Sequence, residues 1–189
     1  MTPRTVFIFH GTAGHPGENW FPWLRQQLEG EGHRVIVPQF PTPEGQSLTA
    51  WRSVLREHEH LIDDTTIIVG HSLGGIFLLR VLETLSSPIA GAVFVGTPIG
   101  IQPMKFYASD SAFSGFTFDW DAIRRNAQVH VIFQSDDDPY VPLENGEQLA
   151  QHLGVPLMFI PNAGHFNTAA GYTTFPALLT ALRPLFTVS

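Results

Sequence analysis

The hydrophobic residues of this chain fall into short runs rich in β-branched and aromatic side chains, and six such runs recur along its length. Several are continuous rather than alternating, which is typical of strands covered on both faces of a sheet. We therefore predict strands at Thr5–Phe9, Arg34–Pro38, Thr66–Val69, Gly91–Val95, Val129–Phe133 and Leu157–Ile160.

Helix-like segments separate these strands, at Trp20–Glu29, Leu48–Leu61, Gly75–Leu85, Leu143–Leu153 and Thr174–Leu185. Strands that alternate with helices predict β-α crossovers, and hence an α/β fold with a mainly parallel, doubly wound sheet. Ligands bind such sheets at the carboxyl ends of the strands. We expect the functional residues at that edge.

One connection, Thr97–Gln128, is too long for a plain crossover, and we call it the aromatic segment. It predicts only one brief helix, at Asp119–Asn126, and it contains the aromatic residues Phe106, Tyr107, Phe113, Phe116, Phe118 and Trp120. Long connections in compact domains are usually functional or disordered, and six aromatic residues argue against disorder. The rings either line a substrate pocket or form a hydrophobic plug over the helices.

Composition narrows the class of protein. The chain has 189 residues, 43% of them hydrophobic and 14% charged, which fits a single globular domain spanning residues 1–189. A formal net charge of -7 without a basic cluster argues against a nucleic-acid partner. Because there is no cysteine, disulfides, thiolate metal sites and a cysteine nucleophile are excluded. No apolar run is long enough to span a membrane, so we expect a soluble cytoplasmic protein that is a monomer or weak homodimer.

The most informative motif is Gly70-His71-Ser72-Leu73-Gly74, which has the pattern G-x-S-x-G and lies between a predicted strand and a predicted helix. A serine at such a tight turn is held in a strained conformation with its hydroxyl exposed above the sheet. Only small neighbours let the flanking backbone approach that closely. The motif therefore predicts that Ser72 is a nucleophile.

A serine nucleophile needs a histidine base that is itself oriented by an acid. Three candidate acids, Asp136, Asp137 and Asp138, follow the fifth predicted strand, and His165 follows the sixth. Serine, acid and histidine thus occur in the order expected for this type of site. His71 is expected to pack locally instead, and no metal site is expected.

Negative charge that develops on the acyl oxygen must be stabilised by backbone N–H groups, the oxyanion hole. One donor should be the N–H of Leu73, at the start of a helix where such groups are free. The second should come from the loop after the first strand, and we assign it to Thr12, with Ala13 as the alternative. We also expect His10, Gly11 and Phe166 to contact the substrate, as well as Phe106, Phe113, Phe116, Phe118 and Trp120.

Together these motifs resemble those of the α/β-hydrolases over essentially the whole chain. The chain is more similar still to the small serine hydrolases related to retinoblastoma-binding protein nine, as shown by Trp20-Phe21-Pro22-Trp23-Leu24, Asp137-Asp138-Pro139 and Gly164-His165-Phe166. This resemblance implies a three-layer sandwich without a cap domain and a triad of Ser72, Asp138 and His165. The D-x-x-V-P pattern that begins at Asp138 selects that aspartate. The other two are expected to stay solvated or to cap the turn at Pro139. The motif Leu-x-Cys-x-Glu of the animal protein cannot occur in a chain without cysteine.

We therefore expect a serine hydrolase that cleaves small acyl esters or amides through an acyl-enzyme and needs no metal or cofactor. Two alternatives remain open. The fold could serve as a protein-binding module with a vestigial site, or the same triad could transfer the acyl group to an acceptor other than water, as in an acyltransferase or perhydrolase.

Overall fold

In the computed structural model, which describes residues 3–101, 107–115 and 117–187, six strands form one sheet in the order β2-β1-β3-β4-β5-β6. All five pairings are parallel. The strands are β1 (Thr5–Phe9), β2 (Arg34–Ile36), β3 (Ile67–His71), β4 (Ile89–Val95), β5 (Ala127–Gln134) and β6 (Leu157–Phe159). The prediction of six strands in a parallel sheet is confirmed.

Seven α-helices lie within the described ranges, six of them between strands and the last one after β6. They are α1 (Phe21–Gly30), α2 (Leu48–Arg56), α3 (Leu73–Leu82), α4 (Tyr107–Ser114), α5 (Trp120–Arg125), α6 (Leu143–Leu153) and α7 (Pro176–Leu182). Short 3₁₀ helices occur at Glu59–Leu61, Thr168–Ala170 and Arg183–Thr187. No helix among these residues is long and apolar enough to cross a membrane.

Two helices differ from the prediction by more than a few terminal residues. The helix predicted to extend to Leu61 ends at Arg56, because the apolar stripe through Trp51 and Leu55 is not continued in the polar residues that follow. Helix α4 was missed, since its small polar residues have low helix propensity. It is held by tertiary contacts instead: Phe113 is fully buried, and the Arg80 Nε–H donates to the Phe113 carbonyl at 2.8 Å.

Both faces of the sheet are covered, as the continuous apolar runs predicted. Along β1, Phe7 and Phe9 belong to a core cluster with buried residues of α2, α3, α4, α5 and α6. Their neighbours Val6 and Ile8 belong to a second cluster with α1 and α7. Successive side chains of a strand point to opposite faces, so every residue of such a strand must be apolar. This packing fixes the sheet as a rigid platform.

The backbone packs very closely where β3 turns into α3. A Cβ atom at Gly70 would lie 2.6 Å from both the Gly74 carbonyl oxygen and the Gly75 Cα atom. Neither is the flexible end of a side chain, so the helix itself would have to shift. The small residues of the turn are therefore a steric requirement.

We expect Gly70→Ala to lower the free energy of unfolding by about 2 kcal/mol or more, because overpacking cannot be relieved at this turn. The matched control is Gly30→Ala at the end of α1, where a Cβ atom would meet nothing within 4 Å. The control should be neutral or stabilising by about 0.5–1 kcal/mol. Urea unfolding of both variants measures the difference. Equal stabilities would contradict the close packing.

Candidate active site

Ser72 lies at the turn between β3 and α3 with φ 55° and ψ −123°, a conformation that L residues rarely adopt. The turn is stabilised on both sides: the Ser72 N–H donates to the Val95 carbonyl at 2.9 Å, and the Gly75 N–H donates to the Ser72 carbonyl at 2.9 Å. Such strain costs about 1–3 kcal/mol and persists only where the surroundings enforce it. Here it brings Ser72 to the wall of a cleft.

Two glycines allow other loops to reach this turn. A Cβ atom at Gly11 would lie 2.8 Å from the Ser72 Cβ and 3.2 Å from its Oγ, so the loop after β1 lies directly against the serine. At Gly96, a Cβ atom would lie 3.2 Å from His165 Nδ1 and 3.4 Å from Asp138 Oδ2. Sequence reasoning predicted Gly11 and missed Gly96, although a glycine directly after a buried strand was a usable signal.

The structure brings Asp138 and His165 together, with 2.6 Å between His165 Nδ1 and Asp138 Oδ2. A carboxylate only accepts hydrogen bonds, so Nδ1 donates and Nε2 of the neutral ring is left as the acceptor. The other carboxylate oxygen, Oδ1, accepts from the N–H groups of Tyr140 at 2.9 Å and Val141 at 3.0 Å. With its side chain fully buried, Asp138 is fixed to orient the imidazole.

The two preceding aspartates tie the loop after β5 to the loop that carries His165. Asp136 Oδ1 accepts from the Asn162 N–H at 2.9 Å. Asp137 Oδ1 accepts from the Ser135 hydroxyl at 2.6 Å and from the Gly164 N–H at 2.7 Å, and these hydrogen bonds lower the pKa of Asp137. Both side chains are exposed, as expected for solvated aspartates. Their hydrogen bonds join the two loops, which end side by side on adjacent strands, rather than cap the turn at Pro139.

Backbone N–H groups approach the serine from two elements. Leu73 is the first residue of α3, so its N–H has no partner within the helix. We call Gly11–Gly14 the oxyanion loop, after the role that we propose for it below. In it, the Ala13 N–H donates to Thr42 Oγ1 at 2.7 Å and is therefore engaged elsewhere. Thr12 lines the cleft, and of the two alternatives its N–H is the one that remains.

His10 lies beneath the oxyanion loop rather than in the cleft, contrary to the prediction that it contacts substrate. Its ring is fully buried; the Phe40 N–H donates to Nε2 at 3.0 Å, and the Nδ1–H donates to the Gly11 carbonyl at 2.9 Å. Burial lowers the pKa of His10, so the ring stays neutral as this pattern requires. His10 thus holds the loop in position.

The cleft is not lined by Phe113, Phe118 or Trp120 of the aromatic segment. Phe113 and Phe118 are buried in the core beside α3, with the Arg80 guanidinium 4.0 Å from the Phe118 ring centre, so the plug alternative describes them. Trp120 stacks on His152 at 4.1 Å. These positions follow from the hydrophobic effect, because a ring packed against helices is removed from water more completely than a ring that lines an open cleft. Phe106 and Phe116 lie outside the described residues.

Phe166 directly follows His165, but its ring points into the opposite core cluster. It is fully buried and stacks on Phe175 with ring centres 5.4 Å apart. Its carbonyl accepts from the Trp20 indole N–H at 3.0 Å. The prediction that Phe166 contacts substrate is therefore corrected: it anchors the loop that carries the histidine.

The cleft above Ser72 has a volume of about 190 Å³. Besides Gly11, Thr12, Ser72 and His165, the residues that line it are polar: Glu18, Asn19, His71, Tyr140 and Asn167. Sequence reasoning did not find Glu18, Asn19 or Asn167 because they come from irregular loops that carry no periodic pattern. Burial raises the pKa of Glu18, while a hydrogen bond from the His15 backbone opposes the shift. No lysine or arginine lines the cleft among the described residues, and no cluster of side chains there could hold a metal ion.

His71 packs against His165, in line with the expectation that it packs locally. Its ring centre lies 4.8 Å from that of His165, and its Nε2–H donates to the His165 carbonyl at 2.8 Å. Burial, reinforced by the neighbouring His165 charge, lowers the pKa of His71 to about 3. His71 therefore remains neutral, and its ring supports the loop that carries His165.

The lowered pKa of His71 predicts that the folded protein loses stability in acid. The unfolded chain binds a proton at His71 below about pH 6.5 and the folded protein only near pH 3, so stability falls as the pH falls through this window. We expect His71 alone to account for about 2 kcal/mol of stability lost between pH 7 and pH 5. Urea unfolding at both pH values should show that the loss is smaller by this amount in His71→Gln, which cannot titrate. An unchanged loss would contradict the assignment.

Comparison with known proteins agrees with this architecture. A family model described as serine hydrolase matches residues 6–184. YdeN of Bacillus subtilis is 29% identical over 185 residues, covering 97% of this chain and 96% of YdeN. Serine hydrolase RBBP9 of Rattus norvegicus is 26% identical over 197 residues, covering 98% and 97% of the two chains.

The crystal structure of the ydeN gene product from B. subtilis superposes with a TM-score of 0.91 at 28% identity, covering 97% of this chain and 99% of that one. The family match includes all of the sheet except Thr5, and every loop that forms the cleft. The chain is therefore an α/β-hydrolase and belongs to the serine hydrolase family.

Proposed function

We propose that Ser72, His165 and Asp138 form a catalytic triad that hydrolyses small acyl esters or amides through an acyl-enzyme on Ser72. The observation that carries the proposal is the 2.6 Å contact between His165 Nδ1 and the buried Asp138, in the cleft that Ser72 lines. An acid, a base and a strained serine at one sheet edge form the arrangement that activates a hydroxyl nucleophile.

The steps follow from this geometry. His165 Nε2 takes the Ser72 hydroxyl proton as Oγ bonds to the acyl carbon, and the N–H groups of Leu73 and Thr12 stabilise the oxyanion. His165 then gives that proton to the leaving alcohol or amine, and the acyl-enzyme remains. Water repeats the sequence: His165 takes its proton, the hydroxyl bonds to the acyl carbon, and Ser72 leaves with that proton. Asp138 stabilises the imidazolium throughout.

The size and charge of the cleft favour a particular class of acyl group. A volume of about 190 Å³ suits short acyl chains. The carboxylate of Glu18 lies in the wall, and no cationic side chain among the described residues offsets it. An anionic acyl group would therefore meet electrostatic repulsion as well as desolvation.

We expect Ser72→Ala to abolish ester hydrolysis and labelling by a fluorophosphonate probe while the melting temperature stays close to that of the wild type. The Oγ atom is the nucleophile, and alanine otherwise fits the same turn. The matched control is Ser53→Ala on the exposed side of α2, which should label fully. Full labelling of Ser72→Ala would disprove the assignment of the nucleophile, and a wild-type protein that does not label would favour the protein-binding module.

We expect ethyl butyrate to be hydrolysed at least about tenfold faster, in kcat/KM, than the equally long monoethyl succinate, because the second carries a carboxylate. Glu18→Gln should reduce this preference by about fivefold, a modest effect because Glu18 is partly exposed. Titration of the released acid in a pH-stat measures both substrates. A preference that Glu18→Gln leaves unchanged would show that Glu18 does not select the substrate.

A further inference from the structure

A chain of hydrogen bonds connects the oxyanion loop to helix α4. The Thr12 hydroxyl donates to Asp110 Oδ1 at 2.6 Å, and the Gln46 amide N–H donates to the same oxygen at 3.3 Å. Thr42 Oγ1 donates to Gln46 Oε1 at 2.5 Å and accepts from the Ala13 N–H at 2.7 Å. This series of hydrogen bonds thus begins at Thr12 of the oxyanion loop and ends at the next residue, Ala13.

The direction of every hydrogen bond in this chain is set by Asp110. A carboxylate only accepts, so the Thr12 hydroxyl and the Gln46 NH₂ group must both point towards it. The amide oxygen of Gln46 then faces Thr42, whose hydroxyl donates to it and leaves a lone pair for the Ala13 N–H. Each group has one consistent role, and Asp110 is 3% exposed, which strengthens its interactions.

This arrangement holds Thr12 from two sides. Its side chain is fixed to Asp110, and the peptide that follows is fixed by the Ala13 N–H to Thr42. With the Cβ and carbonyl sides both restrained, rotation about the Thr12 backbone is limited, and so is the direction of its N–H. Gly11 before it and Ala13 after it, at φ 57°, provide no restraint of this kind through their side chains.

We infer that Asp110 is a positioning residue for the oxyanion hole, which acts through the Thr12 hydroxyl to aim the Thr12 N–H at the developing negative charge. The inference rests on the proposed function of Ser72. Donors of an oxyanion hole are effective only when they are held in place before the reaction. A carboxylate on α4, outside the triad, would therefore affect the rate without touching the substrate.

The anchoring of α4 does not depend on Asp110 alone. Phe113 inserts fully into the core, and its carbonyl accepts from the buried Arg80 at 2.8 Å. The helix thus has its own attachment to α3, one turn away. Removing the carboxylate should therefore release the oxyanion loop and leave α4 docked.

The test compares Asp110→Ala, Thr12→Val and the double variant. Each single change should lower kcat by about ten- to hundredfold and change KM by less than about twofold, because it loosens one oxyanion donor that acts in the transition state. The double variant should be no slower than the slower single variant, within about threefold, since both changes break the same hydrogen bond. Asp110→Asn should recover most of kcat, because its amide oxygen can accept from Thr12.

The matched control is Asp121→Asn on α5. This change alters an exposed carboxylate that, like Asp110, belongs to the aromatic segment, and it should leave kcat unchanged. Effects of Thr12→Val and Asp110→Ala that multiply would mean that the residues act independently and would overturn the inference. If Asp110→Ala does not fold, an unchanged kcat in Thr12→Val overturns it equally. Lack of hydrolysis by the wild type would instead refute the proposed function.

Discussion

The close approach of backbone to backbone around Ser72 is the constraint on which the rest of the site depends. The strained conformation of Ser72 persists because neighbouring elements pack against it. The oxyanion loop after β1 lies against the serine side chain, and the carbonyl of Val95 at the end of β4 accepts the Ser72 N–H. Parallel strands make this possible, since their carboxyl ends meet at one edge of the sheet. Glycine is required at Gly11 and Gly70 because a single extra carbon would separate these elements.

Buried and loop carboxylates perform most of the positioning around this turn. Asp138 holds the His165 ring, Asp136 and Asp137 join the loops that follow β5 and β6, and Asp110 holds the Gly11–Gly14 loop from α4. A carboxylate oxygen can accept several N–H or O–H groups at once, and hydrogen bonds to a charged acceptor are stronger than those between neutral groups. The net negative charge of the chain therefore partly reflects the construction of the site.

Two buried histidines, His10 and His71, also hold loops of the site in place, and they do so with neutral rings. His10 accepts from the Phe40 N–H and donates to the Gly11 carbonyl, and His71 donates to the His165 carbonyl. Both have lowered pKa values because burial disfavours the charged ring. Sequence reasoning expected His10 to contact substrate. A histidine next to Gly11 looks the same in the sequence whether it contacts substrate or supports the loop from below, so the sequence does not separate these two roles. Only the direction of the ring distinguishes them.

The sequence by itself determined the parallel sheet, the position of Ser72 at a strand-to-helix turn, and the order of the aspartates and His165 that follow, because these depend on local patterns. The tertiary structure decided what local patterns cannot encode. It placed Phe113, Phe118 and Phe166 in the core, since their burial depends on the neighbours that surround them. It also formed helix α4 and its contact with Thr12, a hydrogen bond between residues 98 positions apart. Contacts of that range depend on how the elements pack, which no single stretch of sequence specifies.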